Sequence, residues 1–146
     1  MQISSHYFLP RKFCIVLSLQ DRAYFDEQLE TVLAELPPLV KQLMDEVPMI
    51  VEDQPSHRLC KQLQLDDPGE LCGLYVGRSL DKKTINASFE LSDRVYLFRE
   101  GILNNSAEDN GTIPLSRLRE EIRLTILHEY GHHNGMEEDE LRDLGY

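Results

Sequence analysis

Near the C-terminal end the chain reads "LHEYGHHNGMEEDEL", Leu127 to Leu141, which holds three of its five histidines and a run of four carboxylates. His128 and His132 are four positions apart, so on a helix their side chains share one face, with Cβ atoms about 5–6 Å apart. Both imidazoles could then reach a single ion. Glu129 is turned about 100° around the axis, out of line as a third ligand but able to reach a water at that ion. This is the H-E-x-x-H arrangement, two zinc ligands and a general base for hydrolysis. The competing reading is a polar helix end, where two half-exposed histidines are favoured by the macrodipole.

Zinc in a catalytic site normally takes three protein ligands and leaves a fourth position for water. After His132 the order is His133, Asn134, Gly135, Met136, Glu137, Glu138. Glycine is a natural helix stop, because it accepts the left-handed conformation that turns the chain back. Past that turn Glu138 could swing beneath the histidines, which makes His128, His132 and Glu138 a sensible three-ligand set. His133 points about 100° away from His132 and is read as a packing residue. Glu137 and Asp139 would serve only if the turn were one residue out of register, with Asp139 the main rival. The acidic run also fits a solvated first turn of a terminal helix.

These residues need a rigid element beneath them. Leu115, Leu118, Ile122 and Ile126, with Leu127 beside them, form one apolar stripe and predict a helix from about Leu115 to Asn134, Arg117, Arg119, Glu120 and Arg123 facing water. A second stripe, Phe25, Leu29, Val32, Leu33 and Leu36, predicts a helix from Asp21 that Pro37-Pro38 stops. A short helical stretch follows through Leu39 to Met44. "VPMIVED" reads as a buried strand, and "LCGLYVG" and "DRVYLFRE" as two more. "DQPSHRLCKQLQLDDPGE" mixes a short helix with a turn at Asp67-Pro68-Gly69. Residues 78–92 and "GILNNSAEDNG" read as loops. Residues 13–19 read as a short strand or a poorly ordered extension. No repeat is present, and the order of elements gives one α+β domain.

Composition narrows the partners. The chain has 146 residues and a net charge of −11, with 26 acids against 15 bases and no Lys/Arg cluster. That argues against nucleic acid and against anionic membrane surfaces, and favours divalent cations nearby. Cys14, Cys60 and Cys72 form no C-x-x-C pair, so a disulfide framework or cysteine zinc site is not expected and a reducing cytoplasm fits. Arg11-Lys12 before "FCIVLSL" lacks a small-x-small cleavage site, and no segment approaches the length of a membrane span. His6 and His57 are read as surface residues.

"TILHEYGHHNGMEEDELRDLGY" resembles the signature of the minimal zincin-like metallopeptidases, small bacterial proteins with an H-E-x-x-H-H-x-G-x-x-D pattern near the C-terminus. The resemblance extends upstream through "FDEQLETVLAELP", "VPMIVED", "DPGELCGLYVG" and "DRVYLFREGIL". It covers roughly 21–146 as a single domain and leaves 1–20 outside as an N-terminal extension. It implies a minimal zincin-like fold, a small sheet packed against an N-terminal helix and a C-terminal active-site helix. It also implies zinc as cofactor, His128 and His132 as ligands, Glu129 as catalytic base, and a peptide or protein as substrate. The third-ligand position, usually aspartate in the family, falls on Glu138. The eight residues beyond Glu138 leave no room for the downstream methionine turn of the larger metzincins or for a gluzincin glutamate. Tyr130 and Tyr146 are candidate oxyanion donors, each equally readable as a buried or terminal tyrosine, and the strands offer a sheet edge for an extended peptide. The alternative function is a non-catalytic metal-binding or regulatory domain of the same fold. Oligomeric state is not legible in the residues.

Overall fold

The apolar stripe of the first helix begins at Phe25, yet the helix itself starts earlier because Ser18 caps it. The Ser18 hydroxyl accepts from the Asp21 N–H at 3.0 Å while the Asp21 carboxylate accepts from the Ser18 N–H at 2.9 Å, a reciprocal capping box. α1 therefore runs Leu19–Glu35. This computed structural model describes residues 6–8, 16–77, 93–133 and 142–143, with backbone alone for 6–8, 132 and 133. The strand considered for 13–19 is absent from its described part: 16–18 are irregular and lead into the cap. The loop expected at 78–92 lies outside the described residues.

With β1 at His6–Phe8, the elements in order are α1, α2 (Pro38–Glu46), β2 (Met49–Glu52), α3 (His57–Gln62) and a 3-10 turn at Pro68–Glu70. They continue with β3 (Gly73–Val76), β4 (Arg94–Phe98), α4 (Arg99–Ser106), β5 (Thr112–Pro114) and α5 (Leu115–His133). β2, β4 and β3 form one sheet in that order, β2 parallel and β3 antiparallel to the central β4. β1 pairs separately with β5. The result is an α+β fold with helices packed on a small mixed sheet. Among the described residues no helix is long and apolar enough to cross a membrane.

Three expectations are overturned. The segment after β4 was read as a loop from Gly101 onwards, but Arg99–Ser106 is helical. Gly101, Asn104, Asn105 and Ser106 are weak helix formers, and tertiary packing overrides them: Ile102 and Leu103 are fully buried. Arg99, expected inside the strand, opens that helix instead. β2, expected to be buried, is half-buried and, among the described residues, an edge of the sheet.

Two tethers lock the layers. Arg99 grips Asp26 through two bonds, at 2.9 and 3.1 Å, and reaches Asp53 at 3.0 Å, while Arg22 holds the other Asp53 oxygen at 2.9 and 2.6 Å. α1, the end of β2 and the start of α4 thus share one ion network. The bond from Arg22 leads the effects that hold the Asp53 carboxyl below its ordinary value, and Arg99 adds to it. The second tether is the hydroxyl of Tyr130 on α5, which donates to the Val47 carbonyl at 2.8 Å in the interior, between α2 and β2.

Both tethers make predictions. Because the folded Asp53 pKa is depressed, its stabilisation is present above the ordinary carboxylate value and fades as pH falls through the folded one. Asp53→Asn should therefore lower the thermal midpoint near about pH 7 and lower it less below about pH 4. Tyr130→Phe leaves a buried carbonyl unpaired and should cost about 1–3 kcal/mol in urea unfolding.

Candidate active site

α5 carries the residues of interest and is also the centre of the core. Leu118, Ile122, Ile126 and Tyr130 are fully buried and Leu127 nearly so. The helix packs on α1, α2, α4, β3, β4 and β5. That stripe fixes the rotation of the helix about its axis. With 3.6 residues per turn, His128 and Glu129 are left on the flank, where both are half-buried. Regular helix continues through His133, so the backbone of His132 stands one turn beyond that of His128. The side chains of His132 and His133, and all of Glu137, Glu138 and Asp139, lie outside the described residues. Among the described residues no group of three His, Cys, Asp or Glu side chains is placed to hold a metal.

The donor types fit zinc, since imidazole nitrogens and carboxylate oxygens are its ordinary protein ligands. The unbroken helix keeps the backbones of His128 and His132 at the four-residue spacing expected from the sequence.

The sheet comes close to α5 beside Glu129. A Cβ built on Gly73 would meet Thr125 Cγ2 at 2.6 Å, the Tyr96 carbonyl oxygen at 3.1 Å and Glu129 Cγ at 3.2 Å. β3 therefore lies against α5 at Glu129, at a separation that only glycine permits. Since β3 pairs with β4 alone, it is an edge of the sheet among the described residues. The Phe98 N–H donates to the Cys72 carbonyl at 2.8 Å. By the alternation of an antiparallel ladder, the backbone groups of Gly73 and Tyr75 then face away from β4.

The chemistry beside Glu129 is not that of a thiol nucleophile. Burial, with Glu121 and Glu129 close by, pushes the Cys72 thiol up to about 11, so it stays protonated and packs on the core. Of the two tyrosines considered as oxyanion donors, Tyr130 is committed to Val47 and burial pushes its phenol up to about 12. Tyr146 lies outside the described residues. His57 is exposed on α3, as read from the sequence, while the side chain of His6 is outside the described set.

Sequence reasoning missed Gly73, Thr125 and Val47. The signal for Gly73 was available: an isolated glycine in a strand often marks close approach of another backbone or element. Thr125 carried none, because its Oγ1 donates to the Glu121 carbonyl at 2.7 Å and its methyl group is what β3 meets.

No curated protein shows significant similarity to the chain. The family model described as zincin-like metallopeptidase matches residues 44–146, well over half of the chain and including the whole of α5. The chain belongs to the zincin-like metallopeptidase family.

Proposed function

We propose that this protein is a zinc-dependent peptidase in which His128, His132 and Glu138 hold the metal and Glu129 is the general base. The observation that carries the reading is the contact of an edge strand with the helix at Glu129 itself. An extended peptide adding to β3 through main-chain hydrogen bonds would run past that carboxylate. Zinc, when bound, supplies Lewis acidity that acidifies water and polarises a carbonyl.

The chain's own groups do the rest. His128 and His132 would offer ring nitrogens from one helix, so that little reorganisation would be needed to assemble them. The carboxylate of Glu129 takes the proton of the attacking water and returns it to the leaving amine. Gly73 and Tyr75 orient the peptide through their outward backbone groups. Cys72 and the core side chains beneath exclude water from the inner wall. The substrate is a peptide or protein segment able to lie extended. No nucleic acid or membrane takes part.

The first test is elemental analysis of the untagged protein beside His132→Ala. About one zinc per chain is expected in the parent, for a three-ligand catalytic site, with none retained by the variant. A parent that stays metal-free at neutral pH with zinc added back would sink the proposal. Glu129→Gln should keep its zinc and lose at least about a hundredfold in peptide turnover. Unchanged function in that variant would point instead to a non-catalytic metal-binding domain.

A further inference from the structure

The carboxyl group of Glu100 has no part in the chemistry above, yet it is one of the few acids the fold buries. It is 7% exposed, and its Oε2 has no hydrogen-bond partner. Gln54 bonds to the carboxyl group. It sits in the first turn of α4, where the chain from Asp67 to Gly73 crosses the helix.

That crossing is tight. A Cβ on Gly69 would meet Asn104 Nδ2 at 2.8 Å, Glu100 Oε1 at 3.1 Å and Asp67 Oδ1 at 3.2 Å. Asn104 Nδ2 donates to the Gly69 carbonyl at 3.2 Å and the Gly69 N–H donates to Asp67 Oδ1 at 2.9 Å. Two residues on, the Leu71 carbonyl occupies the space a Cβ on Gly101 would need. Gly73 then reaches Thr125 and Glu129. One short segment therefore runs from Glu100 to the proposed catalytic base, docked at both ends by close approach.

We propose that Glu100 is a positioning residue whose neutral carboxyl group keeps residues 67–73, and with them the β3 edge, seated against α5, and that loss of its proton loosens the seat. Among the described residues, the groups that act on its charge are neutral or negative. Asp67 comes from the 3-10 turn, Asp53 and Gln54 from the connection after β2, and Arg99 on its own helix is turned to Asp26 and Asp53. An ionised Glu100 would be a buried charge beside two others, without a cation, and burial first and Asp67 next raise its pKa above the ordinary carboxylate value. A raised folded pKa means stabilisation that is complete below the ordinary value and is lost as pH climbs through the folded one.

The inference deepens the peptidase reading, because β3 is the proposed peptide edge, but its primary test needs neither metal nor turnover. Amide hydrogen exchange of the peptide spanning 67–76, corrected for intrinsic rates, is followed from about pH 4 to about pH 8. Protection in the parent should fall severalfold as pH climbs over that range, and Glu100→Gln should abolish the step. Asp67→Asn, which removes the strongest of the charges raising Glu100, should move the step to lower pH and covers the case of a poorly folded Glu100 variant. A flat parent profile, or a step that survives Glu100→Gln, overturns the inference. If peptide is cleaved, KM should rise with pH in the parent and not in Glu100→Gln, with kcat alike in both. A chain that shows the exchange step but binds no zinc overturns the proposed function and leaves the seating of β3 standing.

Discussion

α5 has to satisfy two environments at once, and the rest of the molecule follows from how it does so. Leu118, Ile122, Ile126 and Leu127 are removed from water, each worth about 1.5–3 kcal/mol by area burial, an upper range. Turning the helix by one residue would expose much of that stripe and bury polar groups in its place. The orientation of His128 and Glu129 is thus dictated by hydrocarbon on the opposite flank. Tyr130 completes the lock with the Val47 bond.

The sheet meets that flank through missing side chains rather than through added ones. Gly101 admits the Leu71 carbonyl over α4, and Gly73 admits α5 to within contact of β3. Each gap brings backbone close to a packed helix, where bulk would force the segment outwards. Between these two points the chain has little freedom, so β3 is positioned by packing at its N-terminal end.

Charge is arranged on the same plan. In a chain of net charge −11, Arg22 and Arg99 pair with Asp26 and Asp53, joining α1 to the ends of β2 and β4. Asp53 also receives the Glu100 N–H at its backbone carbonyl, 3.0 Å away. The satisfied carboxylate and the unsatisfied one are therefore neighbours. Pairing lowers the pKa of the first and burial raises that of the second, which is how one corner of the fold holds acids of opposite tendency.

The residues themselves were enough to place α1 and α5, since a stripe of apolar side chains at helical spacing has few other uses, and β3 and β4 followed from apolar runs bounded by turns. His128, Glu129 and the spacing to His132 were likewise legible, because their relation is local to one helix. α4 was not: its helix formers are poor and its burial depends on elements distant in sequence. Nor was β2 as an edge, since strand order is a matter of pairing between segments that periodicity does not encode. The contact of Gly73 with Glu129, the bond from Tyr130 to Val47 and the buried carboxyl of Glu100 belong to the same class. Each joins residues dozens of positions apart, so only the packed chain, where loop closure is already complete, decides them.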